Sequence, residues 1–84
     1  MDLQDLSEGQ RRCMEGYLVR ARESLGRARE FMQNGPRVDA LINQEEVLIN
    51  LGRFHHFSRV LGLTLSQEYH QVLDNYLKFK LVAA

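Results

Sequence analysis

The chain has no tryptophan, a single cysteine and a single proline, and its charges cancel. With Cys13 alone no internal disulfide can form, which excludes the stapled small secreted domains and points to a reducing compartment. No stretch approaches the ~18 consecutive apolar residues of a membrane span. Met1-Asp2-Leu3-Gln4-Asp5 is acidic where a signal peptide would be basic and then apolar. A cytoplasmic location with no membrane partner is expected. Eleven basic residues against eleven acidic ones leave no net field to draw the chain onto nucleic acid or anionic lipid. Alternation of apolar and polar residues at period two is also missing, so no segment reads as a strand.

At 84 residues the chain fits one small domain, 1–84. Such a domain buries only ~60–65% of its unfolded surface and commonly needs a disulfide, a metal or a partner subunit to supplement a thin core. With no disulfide or metal pattern in view, oligomerisation or a larger partner is the expected source of that stability.

What is present is helical periodicity. Met14, Leu18, Ala21, Leu25, Ala28 and Met32 recur at alternating spacings of four and three, a ~3.5-residue repeat that keeps one seam facing a neighbouring helix. Ser7 and Gln10 have the S-x-x-Q spacing of a capping box, which predicts a first helix over about 7–33. Asn34 and Gly35 suit the left-handed backbone that closes a helix, and Pro36 suits the first turn of the next one. A tight hairpin follows, with a second helix over about 37–61. That helix carries Val47, Phe54, Phe57 and Leu61 on one stripe, while Val38, Leu41, Ile42, Leu48 and Ile49 spread over other faces. Gly62 closes it, and Thr64 with Gln67 offers a T-x-x-Q cap for a third helix over about 65–82, with Leu65, Tyr69, Val72, Tyr76 and Phe79 as its stripe. The expected fold is all-α: an antiparallel helical hairpin plus a third helix, resembling a three-helix bundle and oligomeric.

Candidates for chemistry are few. His55 and His56 are adjacent and point ~100° apart on a helix, unlike the i, i+4 pair of a zinc helix, and His70 lies on the next helix. No cysteine or carboxylate cluster completes a tetrahedral set, so no metal or other cofactor is expected. His56 with Arg59 loosely meets the demand of a phosphotransfer site for a histidine beside a basic residue, but Val60 stands where the usual pattern has glycine. Cys13 follows two arginines that could favour a thiolate, yet no base or oxyanion site accompanies it. No catalytic residue is assigned. Arg11, Arg12, Arg20, Arg22, Arg27 and Arg29 make the first helix look basic, but Glu8, Glu23 and Glu30 sit at pairing distance from them, and the aromatics follow the core period, so nucleic-acid binding is not expected.

The run from Ser66 to Tyr76 resembles, in part, the Ser-Gln-Glu-Leu-Asp signature of the small helical aspartyl-phosphate phosphatases that regulate sporulation. Ser66, Gln67, Glu68, Leu73 and Tyr76 fall in register, while His70 occupies the aspartate position and removes the carboxylate on which phosphatase activity would rest. The resemblance implies an aspartyl-phosphate phosphatase, which together with the phosphotransfer reading of His56 and Arg59 makes a small helical signalling regulator the alternative function, with a nucleic-acid-binding regulator a less favoured one.

The main expectation is a non-catalytic interaction module, an adaptor, small chaperone or regulator that binds another protein or a second copy of itself through an apolar helical surface. Met14, Leu18, Leu25, Met32, Phe54 and Phe57 are the candidate partner-binding residues, since flexible methionines and flat aromatics suit such a surface. Asn43 and Asn50 stand one heptad apart on the second helix. Polar residues at core positions can fix register and oligomer state, so they are the candidates for setting the register of a homodimer.

Overall fold

The computed structural model describes residues 1–83 and is all-helical, with a single 3-10 turn at Leu3–Asp5 followed by α1 (Glu8–Asn34), α2 (Arg37–Val60) and α3 (Gln67–Ala83). The Ser7 box forms as its spacing predicts. Ser7 Oγ accepts from the Gln10 amide at 3.3 Å and Gln10 Oε1 accepts from the Ser7 amide at 3.3 Å, so amides that the first turn leaves unpaired gain partners. At 27 residues α1 is long enough, at ~1.5 Å per residue, to set the 41 Å length of the whole molecule.

The stop at the end of α1 is carried by Gly35 alone. Its φ of +63° is in the left-handed region, its amide donates to the Phe31 carbonyl, and Asn34 remains the last helical residue. Pro36 is extended and takes the cap position, its carbonyl accepting from the Asp39 amide at 3.1 Å, so α2 begins one residue later than a proline in its first turn would have set. At the far end of α2, Gly62 has φ +71°. Its amide donates to the Arg59 carbonyl at 3.2 Å and that of Leu63 to the Ser58 carbonyl at 2.7 Å, the paired closure for which glycine is favoured at a helix end.

The third helix is capped differently from the sequence expectation. Ser66 Oγ, rather than Thr64, accepts from the Tyr69 amide at 3.2 Å, and α3 starts at Gln67. Thr64 is held elsewhere, its amide donating to the Met1 carbonyl at 3.0 Å, which ties the N-terminus to the α2–α3 turn. Leu3 and Leu6 pack against the core beside that tie.

α1 and α2 run antiparallel with their apolar seams together. Met14, Leu18, Ala21, Leu25 and Ala28 are all buried, as the heptad pattern predicts, and Met32 is half-buried. The α2 seam runs through Ala40, Val47, Leu51, Phe54 and Ser58. It is rotated from the expected stripe, because Phe57 lies outside it and is exposed. Three alanines in the hairpin, Ala21, Ala28 and Ala40, keep the two backbones close. α3 lies against both helices through Tyr69, Val72, Tyr76 and Phe79. The Tyr69 ring stacks on Phe54 at 5.4 Å, and Glu68 forms an ion pair with Arg22 of α1.

Candidate functional site

Of the six candidate partner-binding residues, Met32 is half-buried against the core and the other five separate into two groups. Met14, Leu18, Leu25 and Phe54 are core, each 3% exposed or less, and their side chains are occupied by the contacts that join the helices. Their spacing was that of a seam, and a seam inside the chain satisfies it. Phe57 remains at the surface, its ring stacked 6.0 Å from Tyr17 at 10°. It lines a shallow apolar recess of about 160 Å³ with Cys13, Met14, Tyr17, Val60 and Leu61.

Asn43 and Asn50 have partners within the chain. Asn43 Oδ1 accepts from Arg27 Nε at 2.9 Å while its amide group donates to the Asp39 carbonyl at 2.8 Å. Asn50 repeats the arrangement one heptad on, accepting from Arg20 Nε at 3.3 Å and donating to the Glu46 carbonyl at 2.9 Å. Midway between them Ser24 Oγ donates to Glu46 at 3.2 Å. This polar ladder along one edge of the hairpin links α1 to α2 through both asparagines within the chain. A hydrogen-bonded polar group at a half-buried seam favours one alignment over slipped ones, because every other alignment leaves it unpaired.

The ladder also redistributes the charges of α1. Arg12 pairs with Glu8 at 2.8 Å as its spacing predicts, but Arg27 approaches Glu46 at 3.9 Å and Arg22 reaches Glu68, both across helices. Arg20 binds Asn50 and lies 5.1 Å from the Tyr17 ring centroid. The basic residues of α1 therefore serve mostly as internal fastenings.

Each histidine packs against an aromatic ring. His55 is half-buried with its ring 6.1 Å from Tyr69, His56 is exposed edge-on to Phe57, and His70 is exposed edge-on to Tyr69. No group of three or more His, Cys, Asp or Glu converges among the described residues. Cys13 is exposed, and its thiol donates to the Tyr17 hydroxyl at 3.9 Å. The neighbouring Cys13 thiol, followed by partial desolvation, holds the Tyr17 phenol above its ordinary range, against the lowering influence of Arg53 and Arg20. The resemblance at Ser66-Gln67-Glu68 has a local structural use: Ser66 caps α3, and Glu68 pairs with Arg22.

The outer side of α2 carries an exposed apolar surface. Val38, Leu41, Ile42, Leu48 and Ile49 are between 48% and 60% exposed, on the side of the helix opposite Val47 and Phe54. Val38, Ile42, Glu45, Ile49, Gly52 and His56 step by four and three, so α2 has a second heptad seam back to back with the first. The sequence signal was already there as apolar residues on every face, the mark of a helix covered on more than one side. No helix among the described residues is long and apolar enough to cross a membrane.

Comparison of the chain with family models, with curated proteins and with solved structures finds no match.

Proposed function

We propose that this chain is a non-catalytic protein–protein interaction module, an adaptor, small chaperone or regulator, whose docking face is the outer side of α2. The exposure of Val38, Leu41, Ile42, Leu48 and Ile49 on one helical face carries the reading. Isolated exposed apolar residues are ordinary, but five large ones in contiguous turns make a patch of the kind that marks binding surfaces. Glu45 lies within it, and polar residues including Glu46 and Arg53 border it. Phe57 and the recess beside Tyr17 lie toward the C-terminal end of the same helix and extend the apolar surface round its flank. A reducing, cytoplasmic setting belongs to the same proposal and rests on the lone, exposed Cys13.

Native mass measurement of the protein and its complexes tests the proposal. Wild type is expected in a complex, and Ile42→Asp or Ile49→Asp is expected to abolish it while far-ultraviolet circular dichroism stays helical. These side chains are about half exposed and lie outside the buried core, so loss of binding with retained helicity assigns the effect to the surface. Recovery of wild type only as a lone monomer would refute the reading.

A further inference from the structure

We propose that the occupant of the α2 outer face is a second copy of this chain, its α2 packed antiparallel about a two-fold axis that passes beside Ile49. The proposal rests on the reading of that face as a docking surface and names its partner. The distribution of charge carries it. In the span Val38–Val60, the acids Asp39, Glu45 and Glu46 occupy the first half and the bases Arg53 and Arg59 the second. Ile49 lies midway between Glu45 and Arg53, and also midway between Val38 and Val60. An antiparallel pair centred on Ile49 therefore brings Glu45, with Glu46 beside it, level with Arg53 of the other copy and within reach of its long side chain, twice by symmetry. It also sets each Val38 against the other Val60. A parallel pair would place Glu45 against Glu45 and Arg53 against Arg53, and like charges in direct opposition select against it.

Neither Glu45 nor Arg53 forms an ion pair within the chain among the described residues. Eight residues, about 12 Å along a helix, separate them, which is beyond the reach of an intrahelical pair. Arg53 is exposed and without an acidic partner among the described residues, so an acidic group from outside is its natural complement. Leu48 and Ile49 from each copy meet around the axis and supply the apolar centre. Gly52, one turn away, has nothing within 4 Å of where a Cβ would stand. Glycine costs about 1 kcal/mol relative to alanine inside a helix, and here no contact within the chain requires it. In the pair its bare backbone permits close approach of the second helix.

Sedimentation velocity on the full chain, carrying Cys13→Ser to prevent adventitious disulfides, reads the association. The dimer constant should weaken about tenfold for Glu45→Arg and for Arg53→Glu, because each reversal turns two attractive oppositions into repulsive ones. Combining the two reversals should return it to within about threefold of wild type. Under mild oxidation Ile49→Cys should cross-link to itself, while Val38→Cys should link only when Val60→Cys is also present. Single reversals without effect, a double variant no better than either single, or self-linking by Val38→Cys would each overturn the arrangement. A monomeric wild type that binds an unrelated protein, with binding lost in Ile49→Asp, overturns self-pairing and keeps the docking face. A monomeric wild type that binds nothing overturns both.

Discussion

The polar ladder makes a quantitative claim at Asn43. This side chain is 8% exposed and has two good hydrogen bonds, one from the charged Arg27 at 2.9 Å and one to the Asp39 carbonyl at 2.8 Å. A hydrogen bond to a charged group contributes ~1.5–3 kcal/mol. Arg27 is itself about half exposed, however, so water takes the place of Asn43 on truncation and the loss falls to about 1 kcal/mol. The Asp39 carbonyl is already engaged within the helix, and losing its second partner costs about 0.5–1 kcal/mol. Alanine returns roughly 0.5 kcal/mol of helix propensity. Asn43→Ala should therefore destabilise by about 1–1.5 kcal/mol, which lowers Tm by roughly 4–12 °C for a domain of this size. Urea unfolding of Asn43→Ala, Arg27→Ala and the double variant, followed by circular dichroism, should give a coupling energy near 1 kcal/mol. The longer Arg20–Asn50 contact, at 3.3 Å, should couple more weakly. A Arg27–Asn43 coupling below about 0.3 kcal/mol, the limit of additivity, would refute the ladder as a source of stability and register.

Ser58 is fully buried in the α2 seam and its hydroxyl has no hydrogen-bond partner among the described residues, so Ser58→Ala should stabilise the protein by about 1 kcal/mol, roughly half of it from helix propensity; a loss of stability in urea unfolding would contradict this. Ser66→Ala should cost about 1 kcal/mol as a lost helix cap, and Thr64→Ala less than about 0.5 kcal/mol, the reverse of the order expected from T-x-x-Q spacing. Burial pushes the Tyr69 phenol above its ordinary range. The unfolded chain therefore loses this proton first, so the Tyr69 contribution is intact below the ordinary tyrosine value near ~10 and is lost as pH rises through the folded value. Urea midpoints that do not fall across this alkaline range, or a spectrophotometric titration in which every tyrosine ionises at the unfolded value, would refute it.

Much of the fold was legible because its signals are local. The α1 seam needed only the spacing of Met14 to Ala28, and the stops at Gly35 and Gly62 follow from what a chain without Cβ can adopt. The α2 seam was harder to read because a serine, Ser58, occupies a core position while Phe57 next to it is exposed, so residue type pointed one position away from burial. Thr64 and Ser66 both carry a capping hydroxyl two residues apart, and the choice between them depends on a turn that ties the Thr64 amide to Met1, a contact between the two ends of the sequence. The asparagines showed that a polar contact was required. They did not show whose side chain would supply it, since a heptad of asparagine meets a heptad of arginine equally well within one chain or between two. The outer face of α2 was visible as surplus apolar residues. Which of the two faces turned outward was settled only by the placement of α1 and α3.

The two-residue link between α1 and α2 has a kinetic consequence. Helices joined so closely find their seam through a short loop search, whereas α3 must wait for the hairpin surface on which Tyr69, Tyr76 and Phe79 come to rest. Truncations at Leu18 or Val47 should therefore slow refolding, with φ-values well above those at Tyr76, whose substitution should act mainly by speeding unfolding. In native-state hydrogen exchange, α3 is expected to open as a unit at lower free energy than the α1–α2 hairpin.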